Sequence, residues 1–167
     1  MKKIILFGLS IITFGLVLGG CMPEDDLTYK GSSVVEFKNH LFSRVAARQP
    51  AGVTLNTVAG RTASVNTRVT DTIYVQLVGP QVASATEVNF TVAPTSTAVA
   101  GTHYNFKPAG ITKVTIPANS SVGYLLVDMI PGSVTGTTTF PLVLNLVGNS
   151  TVAASQNYKT FTLTLRN

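Results

Sequence analysis

Apolar and polar residues alternate in short runs along most of this chain, and Gly, Pro and Asn separate the runs. The clearest run is Ile73-Tyr74-Val75-Gln76-Leu77, which Gly79-Pro80 ends. A period of two residues places one set of side chains on one face of a β-strand and the other set on the opposite face. The pattern therefore predicts half-buried strands, with Tyr74 pointing away from the apolar face.

Similar runs predict strands elsewhere in the chain, which is rich in the strand-favouring residues Thr and Val. They lie at residues 34–37, 88–92, 114–116, 122–130, 140–147 and 161–165. Residues 53–70 alternate weakly and predict a further strand or an edge, whereas residues 39–48 fit either a short helix or a strand. About seven to eight strands, without alternating helices, predict an all-β fold: an immunoglobulin-like antiparallel β-sandwich spanning residues 34–167.

The N-terminus has the layout of a secretory signal peptide. Lys2-Lys3 precedes an apolar run at residues 4–18, which is shorter than the roughly 20 residues of a membrane-spanning helix. Leu18-Gly19-Gly20 then precedes Cys21, the only cysteine, so an internal disulfide is excluded. This ending resembles a bacterial lipobox. The resemblance implies that residues 1–20 are removed and that Cys21 carries acyl chains such as palmitate.

Three acidic residues follow the cysteine closely: Glu24, Asp25 and Asp26. They resemble the acidic export signal of Bacteroidota surface lipoproteins, which implies an outer-membrane protein, lipid-anchored, at the cell surface. The alternative is a solvated tether, because Pro and acidic residues suit a disordered segment. In either case we expect residues 21–33 to form the acylated, flexible link to the domain.

Four segments of the domain resemble a Calx-beta module: residues 77–80, 88–92, 98–104 and 114–119. They are also similar to uncharacterised immunoglobulin-like domains of Bacteroidota surface lipoproteins, some of which are encoded with polysaccharide-uptake systems. The resemblance implies that Tyr104 is a core or corner tyrosine. It also implies that Gly101 adopts a positive φ in the preceding turn.

The calcium-binding members of that family cluster carboxylates in the loops at one end of the sandwich. Here His103 stands where the family has an aspartate before the tyrosine, and Asp71, Glu87 and Asp128 are scattered singly. Calcium takes six to eight oxygen ligands, usually with several carboxylates. We therefore expect no metal site, and no motif indicates a cofactor.

Motifs for catalysis are also missing from the sequence. His40 and His103 are the only histidines, and each is expected to be a polar structural residue rather than a general base. There is no Gly-x-Ser-x-Gly sequence and no phosphate-binding glycine loop. The net charge of +5 comes from dispersed Lys and Arg without interleaved aromatic residues, which argues against nucleic acid as a partner. The sequence predicts a protein that is not an enzyme.

Two residues on the predicted strand at 73–77 and just before it carry functional hypotheses. The chain has no Trp, so Tyr74 is the candidate for stacking on a sugar; the alternative is a tyrosine that covers a neighbouring strand. Asp71-Thr72-Ile73 matches the signal for O-glycosylation of exported Bacteroidota proteins, with Thr72 as acceptor. The alternative for Thr72 is a threonine that opens a strand.

Together these features predict a membrane-anchored cell-surface lipoprotein that serves as a non-catalytic binding or structural accessory module. The alternative is a glycan-binding component of a polysaccharide-uptake system. The expected partners are the membrane, through the lipid anchor, and a glycan or an outer-membrane protein.

Overall fold

The structure is a computed structural model that describes residues 29–38, the backbone of residues 53–57, and residues 60–167. These residues form strands and turns and contain no α-helix. The strands are β1 (Val34–Phe37), β2 (Val53–Thr57), β3 (Gly60–Ser64), β4 (Thr70–Val78), β5 (Thr86–Val92), β6 (Tyr104–Lys107), β7 (Lys113–Ile116), β8 (Val122–Met129), β9 (Thr139–Gly148), β10 (Ala153–Ala154) and β11 (Thr160–Arg166).

The strands form the two halves of a β-sandwich. One half has the order β1-β4-β8-β6, and the other has the order β2-β3-β11-β9, with β5 and then β7 continuing from β9. The short strand β10 joins the halves, because it pairs with both β9 and β1. The predicted β-sandwich is confirmed. The structure adds two parallel pairs, β1 with β10 and β3 with β11, which local sequence patterns cannot reveal because the partners are distant in the chain.

The core lies between the halves and follows the period-two pattern. Along β4, Asp71, Ile73, Val75 and Leu77 are buried, whereas the residues between them are half-buried. Strands β8, β9 and β11 bury alternate residues in the same way. Each fully buried Val, Leu, Ile or Phe contributes about 1.5–3 kcal/mol, so this shared face is the main source of stability.

The predicted strands are found, and the largest addition is β6. Tyr104, expected to be a core or corner tyrosine, begins this strand and pairs with Met129 of β8. Residues 53–64, which alternate only weakly, supply both β2 and β3. Val92 departs from the alternation of its run: it is exposed at the end of β5, beyond the part of that strand that pairs with β7. The helix or strand considered for residues 39–48 lies outside the described residues.

Two glycines have conformations or surroundings that a side chain would disturb. Gly101 has a φ of 78° in the turn before β6, as expected, and the region of positive φ costs residues with a Cβ about 1–2 kcal/mol. At Gly123, a Cβ would lie 2.5 Å from the carbonyl oxygen of Thr115. The absence of a side chain at Gly123 therefore lets β8 approach β7 closely.

Candidate functional site

Asp71 is a fully buried carboxylate that two arginines neutralise. Its Oδ2 accepts hydrogen bonds from Nε and Nη2 of Arg61 at 2.9 and 2.5 Å, and its Oδ1 accepts one from Nε of Arg68 at 2.7 Å. Arg61 also donates to the carbonyl of Thr72 at 2.6 Å and lies over the ring of Phe161. No local sequence pattern indicates this cluster, because Arg61 lies on β3 and Asp71 on β4. Buried and paired, Asp71 serves the structure.

His103 is buried in the turn before β6. Its Nδ1 accepts a hydrogen bond from the backbone N–H of Val99 at 2.9 Å, and its ring stacks on Phe140 with centroids 4.0 Å apart. An aspartate at this position could accept the same hydrogen bond, which explains how a histidine replaces it in the turn. With one ring nitrogen engaged and the ring covered, His103 has a structural role. His40 lies outside the described residues.

Asp128 is a partly exposed carboxylate on the outer face of β8. The hydroxyl of Thr70 donates to its Oδ1 at 2.6 Å, and Nζ of Lys107 lies 3.7 Å from its Oδ2. Within residues 29–38, 53–57 and 60–167, no three His, Cys, Asp or Glu side chains come together as a group that could hold a metal ion. The structure thus brings none of the sequence's candidate carboxylates together.

Tyr74 and Tyr124 lie side by side on the outward face of the β1-β4-β8-β6 half. They are directly opposite in the register of β4 and β8, where side chains on one face are close enough to interact. Tyr124 is 59% exposed, whereas Tyr74 is half-buried. The outward position predicted for Tyr74 is found, but Tyr124 is the more exposed ring of the two. The pairing of β8 with β4, which the sequence does not show, places Tyr124 beside Tyr74.

The neighbours of these rings make the surface mixed in character. Thr72 is opposite Leu126 on one side of the pair, and Gln76 is opposite Val122 on the other. We call the surface formed by Thr72, Tyr74, Gln76, Val122, Tyr124 and Leu126 the tyrosine face. It offers aromatic and aliphatic area next to the hydroxyl of Thr72, which suits the binding of a partner with both apolar and polar parts.

Tyr104 has the opposite environment. It is buried, and its ring meets that of Phe106 edge-on with centroids 5.2 Å apart. Burial raises the pKa of Tyr104 above its ordinary value of 10.0, because the charged phenolate is poorly solvated there. Its predicted place in the core is therefore found.

The predicted lipidation and export residues, Cys21, Glu24, Asp25 and Asp26, lie outside the described residues. Their roles stay predictions. In the part of the chain that the structure does describe, no helix combines the length and apolar character required to cross a membrane.

Comparison with solved structures identifies similar folds. The apo form of the Calx CBD1 domain is 12% identical with a TM-score of 0.55, covering 81% of this chain and 97% of that chain. The calcium-binding domain CBD12 of CALX1.1 is 14% identical with a TM-score of 0.51, covering 65% of this chain and 41% of that chain. No protein-family model and no curated protein sequence matches the chain. The fold is thus that of the Calx-beta β-sandwich.

Proposed function

We propose that this chain is a lipid-anchored module of the outer-membrane surface that binds a partner without catalysing a reaction. The observation that carries the binding role is the contrast between the tyrosine face and the groups considered for catalysis. Asp71 and His103 are buried and hydrogen-bonded within the fold, whereas Tyr124 is largely exposed beside Tyr74. Exposed aromatic rings next to polar groups are typical of binding surfaces.

Anchoring through Cys21 is supported by the sequence that surrounds this residue. Acyl chains on one cysteine would hold the domain at a membrane without a spanning helix, since more than one chain gives a stable anchor. The first described strand is β1, and a fully extended link from Cys21 to that strand would reach at most about 45 Å. We infer that Glu24, Asp25 and Asp26 direct the anchored protein to the exterior.

Fractionation of cells tests the anchor. Cys21→Ser is expected to move the protein from the membrane to the soluble fraction and to remove the mass of the acyl chains. Replacing Glu24, Asp25 and Asp26 by Ala is expected to leave the membrane fraction unchanged and to abolish labelling of intact cells. Membrane retention of the Cys21→Ser protein would contradict the proposal.

A glycan is the second candidate for the partner, and the paired rings of Tyr74 and Tyr124 favour it. The flat face of a sugar ring stacks on an aromatic ring, and the hydroxyl of Thr72 is close enough in the sheet register to assist. Such a protein would capture glycans for a polysaccharide-uptake system.

A glycan array with the full-length protein separates the two candidates. Tyr124→Ala and Tyr74→Ala should each weaken glycan binding, whereas Tyr29→Ala should not, because Tyr29 is exposed outside the tyrosine face. An array without any bound glycan, together with capture of an outer-membrane protein that Tyr124→Ala abolishes, would favour a protein partner.

We also propose Thr72 as an O-glycosylation site. Because Asp71 of the motif is fully buried against Arg61, a transferase that reads this carboxylate would have to act before the domain folds. The intact mass of the exported protein, compared with that of Thr72→Val, tests this modification. Identical masses, apart from the substitution itself, would contradict it.

A further inference from the structure

An open cleft of about 730 Å³ lies at one end of the sandwich, away from Asp71 and the tyrosine face. The loop after β4, the start of β5, the start of β7 and the turn between β9 and β10 form its walls. The residues that matter for its chemistry are Val82, Glu87, Asn89, Lys113, Asn149 and Ser150. Its volume is within the range of about 300–1,000 Å³ that is usual for small-molecule sites.

The side chain of Asn149 fixes one wall of the cleft. Its Oδ1 accepts hydrogen bonds from the backbone N–H groups of Thr151 and Val152 at 2.8 and 2.7 Å, which closes the turn. Its Nδ2 donates to the carbonyl of Glu87 at 2.8 Å and so joins the turn to β5. Because these hydrogen bonds join groups of the protein to one another, the wall is held by the fold itself and little ordering cost remains when a ligand binds.

The polar groups of the cleft provide donors and acceptors without a net charge. Nζ of Lys113 and Oε2 of Glu87 form an ion pair at 2.7 Å, and more than half of each side chain is exposed. Asn89 donates through Nδ2 to the carbonyl of Gly148 at 3.0 Å, which leaves its Oδ1 oxygen as an acceptor. The hydroxyl of Ser150 adds a group that both donates and accepts.

An apolar patch lies beside these groups. Val82 is 43% exposed, and Pro80 is also exposed in the same loop. A ligand that matches this lining has many hydroxyl groups, no net charge and small C–H faces. Strongly anionic or cationic ligands are disfavoured, since each would meet a like charge at Glu87 or Lys113.

From this chemistry we propose that the cleft binds an uncharged oligosaccharide, either free or as the headgroup of a glycolipid. The inference rests on the proposed role as a binding module, but its site is separate from the tyrosine face. The described chain passes Ser33, at the rim of the cleft, as it enters β1. The link from an anchor at Cys21 would therefore join the domain at the end that carries the cleft, which brings membrane glycolipids within reach as well.

The test uses the full-length protein in detergent on an array of neutral and anionic oligosaccharides. Ser150→Trp places a large ring in the cleft from the turn between β9 and β10. Ser84→Trp does the same from the loop between β4 and β5, and both serines are exposed. Thr137→Trp is the matched control, because Thr137 is exposed in a loop of the other end. We expect neutral glycans to bind, binding to fall at least tenfold in both cleft variants, and Thr137→Trp to bind like the unaltered protein. Thermal unfolding verifies that each variant is folded.

Vesicles distinguish the two sources of the same ligand. Binding of the Cys21→Ser protein, which carries no acyl chains, to phosphatidylcholine vesicles that contain digalactosyldiacylglycerol, but neither to vesicles without this lipid nor to the free array glycans, identifies the headgroup. Binding to array glycans identifies the free sugar. The absence of neutral-glycan binding in both assays overturns the proposal, and so does a preference for anionic glycans. If Tyr124→Ala abolishes binding and both cleft variants leave it unchanged, the proposed function survives and the cleft inference fails.

Discussion

The two ends of the sandwich carry ion pairs of equal length in opposite environments. Nε of Arg68 lies 2.7 Å from Oδ1 of Asp71, and Nζ of Lys113 lies 2.7 Å from Oε2 of Glu87. The first carboxylate is fully buried, whereas the second pair is more than half exposed at the cleft. The distance between the charged atoms therefore does not determine what a pair does. The buried pair stabilises the fold, whereas the exposed pair is accessible to a ligand.

The physical difference between the pairs is the solvation of each charge. In an exposed pair, each charged group gives up contacts with water to meet its partner. The net gain in stability is therefore small, typically about 0–1 kcal/mol. A buried pair depends on its partner, since removal of one charge leaves the other without water or a counter-charge. We call the region of Arg61, Arg68, Asp71 and His103 the sealed end and the region of the cleft the open end.

The largest expected effect follows from removing the buried carboxylate. Asp71→Ala removes the counter-charge of the buried Arg61, which should lower the free energy of unfolding by about 3–5 kcal/mol. Glu87→Ala, the matched change at the open end, should lower it by no more than about 1 kcal/mol. Chemical denaturation measures both, with Asp71→Asn as a second variant of similar shape. Equal losses in the free energy of unfolding for Asp71→Ala and Glu87→Ala would contradict the difference between the two ion pairs.

The next effect concerns the backbone of the open end. Gly148 has a φ of 81°, and a Cβ there would clash with the carbonyl of Val152. Gly148→Ala should therefore cost more than about 2 kcal/mol, the strain of positive φ plus the displaced turn. Gly110 has a φ of 73° with open space around it, so Gly110→Ala should show the strain alone. Urea denaturation measures both variants. Equal losses in the free energy of unfolding would contradict the close contact between position 148 and the carbonyl of Val152.

A smaller effect is expected at the turn of the sealed end. His103→Ala removes the acceptor for the N–H of Val99 and the stacking on Phe140, at a cost of about 1 kcal/mol for the hydrogen bond. His103→Asp restores an acceptor and should recover part of that loss. Thermal unfolding should rank the unaltered protein as the most stable, His103→Asp next and His103→Ala last. A His103→Asp protein less stable than His103→Ala would contradict this prediction.

The sequence predicted the strands better than their pairing. Period two identified β4, β5 and β11, and apolar runs that Pro or Gly ends identified β7, β8 and β9. These patterns could not show that Arg61 reaches Asp71 or that Tyr124 is beside Tyr74, since both depend on which strands are neighbours. Weak alternation concealed β3, whose residues are buried on both faces. The cleft is formed by the loop after β4, the starts of β5 and β7 and the turn between β9 and β10, and no single segment indicates it.

The smallest effect appears only in alkaline solution. The pKa of Tyr104 is raised in the folded protein, so the unfolded chain loses this proton first as the pH rises through 10.0. The contribution of Tyr104 to stability is complete below that pH and is lost as the pH rises towards the folded pKa. Unfolding of the unaltered protein and of Tyr104→Phe, followed from pH 8 upwards, should therefore show the steeper decline in the unaltered protein. Parallel curves would contradict the burial of this hydroxyl.

The most direct test of the contrast between the ends is to map binding on the folded protein. Amide NMR spectra of the ¹⁵N-labelled full-length protein in detergent are recorded with increasing maltotriose, cellotriose or mannotriose. We expect the residues whose signals shift to lie at the open end, at 82–89, 113 and 149–152, and the signals of residues 61–71 and 130–137 to stay fixed. Shifts confined to the sealed end would contradict this expectation.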